Sequence, residues 1–217
     1  MRSIFLLLFI SLSLYAHSQD VKTEERLILG DTIVFLGIDF SMAKMINPAD
    51  VDLAIKIKEK HGPYWSIIGP YMCQHSSLSF DFKKKYVACM AHRMDSSYTQ
   101  LDSNWIVSSY HGITQQEIAQ HIKTYAPLPH YKVAFVFVVD RLDKIKSTLV
   151  MYGAYINLKD NSVLKTIKCE GRPDGFGYGM YWATGIDQAY LHFTIDNSNY
   201  IHRLKHLFKK SPKSAVN

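Results

Sequence analysis

Asp39 is the acidic residue of most chemical interest, because it interrupts the apolar run Thr32-Ile33-Val34-Phe35-Leu36-Gly37-Ile38-Asp39-Phe40. β-Branched and aromatic residues with little polarity mark that run as a strand covered on both faces. A carboxylate at its end, with Ser41 and Lys44 just beyond, would sit at the rim of the sheet, where open α/β sheets bind ligands. The plain alternative is a hydrogen-bonded turn residue. Asp39 is therefore the first binding candidate.

Other clusters have suggestive spacing. His202 and His206 stand at i and i+4, so on a helix both imidazoles would face one way, as metal ligands must. A third ligand is missing nearby, and Arg203, Lys205, Lys209 and Lys210 would repel a dication, so no metal site is expected. Cys89 with His92 lacks the two further ligands that zinc needs. Asp50 and Asp52 fall in the first turn of a predicted helix, where negative charge is stabilising. The loop Gly171-Arg172-Pro173-Asp174-Gly175-Phe176-Gly177-Tyr178-Gly179 precedes a helix, and backbone N–H groups at such a place can cradle phosphate. Its spacing fits neither a P-loop nor a dinucleotide fingerprint. Pro173 and the neighbouring aromatics suggest instead a strand-to-helix connection pinned by Phe176 and Trp182. Phe176, Tyr178, Tyr181 and Trp182 together form the second binding candidate, an aromatic contact surface.

For catalysis the chain has no G-x-S-x-G elbow and no H-E-x-x-H. No catalytic residue is assigned and no cofactor is expected. A dispersed Ser, His and Asp set stays open, since such triads are recognised by geometry and not by order in the chain. Of Cys73, Cys89 and Cys169 at most one intrachain pair can form. If a pair forms it is Cys73 with Cys89; the competing reading, which carries the greater weight, takes Cys89 and Cys169 as small buried apolar residues.

The elements that must position these groups begin with the strand at Thr32. Asn47-Pro48 starts a helix, with Asn as cap and Pro at the first helical position, and His61-Gly62-Pro63 ends it. Residues 63–79 give a mixed pattern, and Phe80 to Asp95 reads as helical. A short strand is expected at Trp105 to Tyr110. The helix Ile113 to Tyr125 opens on a capping box, Thr114 with Glu117, and shows Ile118 and Ile122 on its apolar side. Lys132 to Asp140, Thr148 to Leu158 and Val163 to Cys169 read as three strands, the last two joined by the turn Lys159-Asp160-Asn161-Ser162. Trp182, Ile186, Ala189, Tyr190 and Phe193 then keep helical spacing, and Asp196-Asn197-Ser198-Asn199 read as a break before Tyr200 to Phe208. The expected fold is α/β (α+β), a single layered domain over residues 31–208 in which helices pack on a mixed sheet with a C-terminal three-strand antiparallel meander.

Arg2, the apolar run Ile4 to Leu14, and small residues at Ala16 and Ser18 make residues 1–18 a signal peptide. Residues 19–30 read as a polar leader and 209–217 as a basic tail. The remaining 199 residues can bury a substantial core, and the composition, 47% hydrophobic and 20% charged, is that of a globular protein. The longest later apolar run, Val133 to Val139, is far too short to cross a bilayer, so no transmembrane segment is expected after cleavage. Localisation would be periplasmic or secreted. Net charge is +6, one less without Arg2; this admits an anionic surface component as partner, while nucleic acid is not expected.

The segments "FVFVVDRLDK", "YINLKDNSVLKTIKCEGRPDGFGYGMYWATGI" and "VFLGIDFSMAKMI" resemble a family of exported Bacteroidota α/β proteins to which no activity attaches. The likeness is carried by Asn157 to Leu164, by Gly175-Phe176-Gly177 and by Tyr181-Trp182, and covers roughly half the chain. Asn157 stands where the family has Asp, and Asp174 where it has Gly. At the level of topology alone the chain is also similar to TolB amino-terminal-like periplasmic domains and to the curli secretion lipoprotein family.

Two functions follow as expectations. One is a soluble exported non-enzymatic protein that binds an envelope protein or surface component; the other is a small exported hydrolase. A compact pocket gathering Asp39, a histidine and a serine would favour the hydrolase. A long exposed sheet edge, or an exposed aromatic patch at Tyr178, Tyr181 and Trp182, would favour the binder.

Overall fold

A computed structural model describes residues 24–46, 51–75, 77–101 and 103–210. The expected signal peptide, the helix start at Asn47-Pro48, Asp50 and the end of the basic tail lie outside the described residues. The fold is mixed α/β. In chain order it comprises β1 (Thr32–Asp39), β2 (Lys44–Ile46), α1 (Val51–Ser66), α2 (Ile68–His75), α3 (Leu78–Asp81), β3 (Tyr86–Cys89), β4 (Ile106–Val107), α4 (Gln115–Ile122), β5 (Val133–Asp143), β6 (Thr148–Asn157), β7 (Ser162–Gly171) and α5 (Tyr178–Lys210). Short 3-10 turns fill Arg26–Leu29, Ala91–Met94, Ser97–Gln100 and Ser103–Trp105.

β5 is the hub of the seven-stranded sheet. On one side it pairs in parallel first with β1 and then, further along, with β2; on the other it pairs antiparallel with β6, which pairs antiparallel with β7. β3 runs parallel to β1, and β4 parallel to β2. The side chains of β5 alternate between two cores, as a strand covered on both faces requires. Val133, Phe135, Phe137 and Val139 join the larger core with α1, α2 and α5; Ala134, Val136 and Val138 join the smaller one beneath Ile118 and Ile122 of α4. Phe135 lies at the centre of an aromatic cluster with Phe82, Phe137, Tyr155 and Phe193, all with ring centroids within 4.9 Å of it.

Several sequence expectations are corrected here. The packed structure starts before Thr32, because Ile28 is fully buried in the turn Arg26–Leu29 and the Lys84 ammonium donates to the Ile28 and Gly30 carbonyls. α1 does not stop at Pro63; Trp65, fully buried and stacked on Phe40 at 5.6 Å, holds the last turn in place after the proline. Phe80 to Asp95 is not one helix, since Tyr86 to Cys89 pair with Thr32 to Phe35 and tertiary pairing overrides local preference. The strand expected over Trp105 to Tyr110 is limited to Ile106–Val107. α5 runs unbroken through Asp196 to Asn199 and on to Lys210. There Asn197 is fully buried, accepting from the Tyr155 hydroxyl at 2.6 Å and donating to the Asp81 carbonyl at 3.0 Å, so a residue that reads as a breaker instead joins the helix to β6 and α3.

Cys73 and Cys89 are bonded, tying α2 to the end of β3, with their Cα atoms 6.0 Å apart. Cys169 is free and buried, and burial pushes its thiol up to about 12. β7 packs closely under α5: a Cβ on Gly171 would fall 1.9 Å from the Gly185 carbonyl oxygen, so only glycine permits this approach.

Candidate functional site

Asp39 reaches its position through a bulge. Phe35 pairs with Phe135 but Ile38 pairs with Phe137, so β1 carries one extra residue at Leu36-Gly37. One inserted residue reverses which face every later side chain takes. Phe35 and Ile38 thus both face the larger core, while Asp39 turns to the α4 face. Gly37 makes the bulge possible: its φ is +103°, and a Cβ there would lie 2.7 Å from the Ala91 carbonyl oxygen.

α4 supplies the partners. Ile118, His121, Ile122 and Tyr125 follow at i, i+3, i+4 and i+7, one stripe of a helix prolonged past its last regular turn by Thr124 N–H to the His121 carbonyl and Tyr125 N–H to the Ile122 carbonyl. The isoleucines bury themselves against the sheet, which lowers the two polar members of the stripe onto Asp39. Asp39 Oδ2 lies 2.7 Å from His121 Nε2 and accepts from the Tyr125 hydroxyl at 2.6 Å, and Oδ1 accepts from the Ser41 backbone N–H at 2.8 Å. Asp39 is 2% exposed. Burial pushes its carboxyl up, but the hydrogen bonds from His121, Ser41 and Tyr125 outweigh it and hold the group below the ordinary carboxylate range. Burial, then the Asp39 charge, raises the Tyr125 phenol well above its usual value, so it remains a donor.

Because Asp39 is ionised it can only accept, so His121 Nε2 carries the proton. Ser41 Oγ lies 3.0 Å from that same Nε2. In a Ser-His-Asp triad the two partners use opposite ring nitrogens; here they share one, and the nitrogen that would take a proton from Ser41 already donates to Asp39. Asp39, for its part, already accepts from three donors, of its roughly four acceptor sites.

A second aspartate lies on β5, two residues beyond Val138, the register partner of Asp39. Asp140 is the extra residue of another bulge, between Val139 and Arg141 in the pairing with β6. It is fully buried, accepts from the Ile113 N–H at 2.8 Å just before α4, and meets the Arg141 guanidinium at 2.8 Å. Burial dominates here and raises its carboxyl, against the pull of the Ile113 N–H and Arg141.

A cleft of about 230 Å³ opens beside Asp39. One wall is the segment after β3, with Arg93, Ser96 and Gln100; another is the end of α4, with His121 and Thr124; Asn161, from the turn between β6 and β7, stands on the rim and donates to the Tyr125 carbonyl at 2.9 Å. Asn161 has φ of 55°, the left-handed conformation expected of that turn. Ser97 fastens the first wall to β1, accepting from Phe40 N–H at 2.9 Å.

The aromatic candidates lie elsewhere and divide. Trp182 is fully buried, which corrects its assignment to a contact surface: its place in the apolar stripe of α5 faces it into the core. Tyr181 is partly buried beneath the Lys144 ammonium, 3.5 Å from the ring centroid. Tyr178 begins α5, and its side chain lies outside the described residues. Phe176 is 98% exposed and pins nothing. The loop is held instead by Thr184 Oγ1, which accepts from Asp174 N–H at 2.9 Å and donates to its carbonyl at 2.6 Å. Phe176 borders a shallow apolar depression with Tyr64 and Met180. His202 and His206 face the same way, ring centroids 5.9 Å apart, on the exposed side of α5. Among the described residues no group of three or more His, Cys, Asp or Glu could hold a metal ion, and no helix is long and apolar enough to cross a membrane.

Neither His121 nor Tyr125 stands out as a site residue in the sequence. The signal was present in the stripe 118-121-122-125, which extends the capped helix beyond its apolar pair. Its partner, however, is 82 residues away. Fold and site together define an open α/β sheet with a polar crevice at the carboxyl end of an inner parallel strand. Compared with family models, with curated proteins and with solved structures, the chain finds no match.

Proposed function

We propose that this chain is a soluble, exported, non-enzymatic binding protein, and that the cleft over Asp39 is its ligand site. The observation that carries the reading is the engaged Asp39 carboxylate: three donors, the Ser41 backbone N–H, His121 Nε2 and the Tyr125 hydroxyl, and a depressed carboxyl leave it a rigid support for the cleft, with little capacity to act as a base. The topology supports it. The chain leaves β1 for β3 with α1 and α2 on one face, then returns to β5, on the other side of β1, with α4 on the opposite face. That reversal between β1 and β5 is a topological switch point, the usual place for a ligand crevice in an open sheet. The Cys73–Cys89 disulfide is consistent with an oxidising compartment, and so with export into the periplasm or medium. The resemblance to exported Bacteroidota proteins points the same way.

The test is native mass spectrometry of the folded protein after incubation with a small-molecule extract of its own organism's envelope. A single bound adduct is expected, absent from Thr124→Trp, which fills the cleft. A folded wild-type protein that acquires no adduct would sink the reading.

The gathering of Asp39, Ser41 and His121 favours a second reading, a small exported hydrolase. It requires the His121 ring to turn so that Ser41 and Asp39 meet different nitrogens. Ester hydrolysis abolished by both Ser41→Ala and His121→Ala would support it over the first.

A further inference from the structure

Arg93 lines the cleft without an acidic partner. Its guanidinium makes one long hydrogen bond, 3.4 Å to the Ala126 carbonyl, and no carboxylate among the described residues pairs with it. The acid that shares the cleft, Asp39, is already engaged by Ser41, His121 and Tyr125. A planar fork of donors facing a cleft, with its charge uncompensated, is suited to a carboxylate or phosphate brought by a ligand.

The rest of the lining narrows the choice. Ser96, Gln100 and Thr124 offer hydroxyl and amide groups, while Leu128 and Ile156 present an apolar side. A ring or chain carrying several hydroxyls, polar at its edges and apolar across its C–H face, meets both. A volume of about 230 Å³ is below the range of roughly 300–1,000 Å³ typical of drug-sized pockets, so the ligand is small. Among the described lining residues Arg93 is the one permanent cation, and the Asp39 charge lines the same cleft, so a monoanion is favoured over a phosphate dianion.

Resting on the reading of this cleft as a ligand site, we infer that it takes a small polyol bearing one carboxylate, such as a free acidic sugar or the acidic end of a polysaccharide, with the carboxylate on Arg93.

The full chain is titrated calorimetrically with glucuronate, glucose and inorganic phosphate, while the His121 ring resonances are followed by NMR. Glucuronate is expected to bind at least tenfold more tightly than glucose and phosphate and to shift the His121 resonances. Arg93→Gln should remove that preference and leave glucose binding unchanged; Arg93→Lys, which keeps the charge but loses the fork, should retain only part of it. Equal binding of glucose and glucuronate would overturn the acidic-ligand inference while leaving the cleft a ligand site. Tighter binding of phosphate would overturn the carboxylate assignment. No binding of any probe, with His121 unshifted, would overturn the inference, and the adduct experiment then decides separately whether the cleft binds anything. Glucuronate binding that Arg93→Gln leaves intact would also overturn it. A polysaccharide source would show as tighter binding of an oligouronate than of glucuronate.

Discussion

Asp39 and Asp140 hold opposite ends of one helix. Asp140 accepts from the Ile113 N–H where the chain enters α4, and Asp39 accepts from His121 and Tyr125 where it leaves. Asp39 reaches the α4 face through the bulge that precedes it in β1, whereas Asp140 follows Ala134, Val136 and Val138 onto that face by the ordinary alternation of β5. The two carboxylates differ in what surrounds them: donors hold Asp39 ionised, while burial raises Asp140.

That difference gives opposite pH responses. Asp39 is depressed in the folded state, so its contribution is fully present above the unfolded carboxyl value, about 3.9, and is lost as pH falls through the folded value. The stability difference between wild type and Asp39→Asn should therefore shrink on acidification below about pH 4. Asp140 is raised, so the folded state keeps a proton that the unfolded chain has shed. Wild type should lose stability relative to Asp140→Asn as pH rises from about 3.9 through the folded value. Urea unfolding from pH 3 to 7 measures both; parallel profiles for the two variants would contradict the assignments.

Tyr125→Phe removes one donor from a buried carboxylate and should cost about 2 kcal/mol. A loss within 0.5 kcal/mol, the range of roughly ±0.5 expected of surface changes, would mean that the Asp39 network contributes little to stability.

Gly37→Ala places a Cβ 2.7 Å from the Ala91 carbonyl oxygen at a φ of +103°. The expected cost is about 3 kcal/mol, with displacement of the His121 ring resonances because the bulge orients Asp39. An unchanged midpoint in chemical denaturation would show that the bulge tolerates a side chain.

Replacing Cys73 and Cys89 together by serine should cost about 3 kcal/mol, the loop-closure entropy of a bridge spanning a separation of 16 residues. Alkylation of the unfolded, unreduced wild type should modify Cys169 alone. Three modified thiols would contradict the bridge.

Phe176→Ser and Trp182→Ala test the division of the aromatic candidates. Phe176 is 98% exposed, and its replacement should move stability by less than about 0.5 kcal/mol. Trp182 is fully buried, and its truncation should cost about 3–5 kcal/mol. Similar effects for the two would place them in similar environments, against the structure.

Local pattern alone determined a good part of this protein. The apolar runs of β1 and β5 through β7, the Thr114–Glu117 capping box and the Trp182 to Phe193 stripe are all set by residues a few positions apart, and each is present in the fold. The position of Asp39 at the end of a strand was legible for the same reason. Tertiary structure alone decided what Asp39 meets, because a single inserted residue at Gly37 selects the face and the donors from α4 come from 82 and 86 residues away. It also decided that Tyr86 to Cys89 pair as an edge strand, that Asn197 joins elements instead of ending a helix, and that Trp182 turns inward while Phe176 turns out. Periodicity states which side of an element is apolar; only packing states which polar residue that side carries with it into the interior.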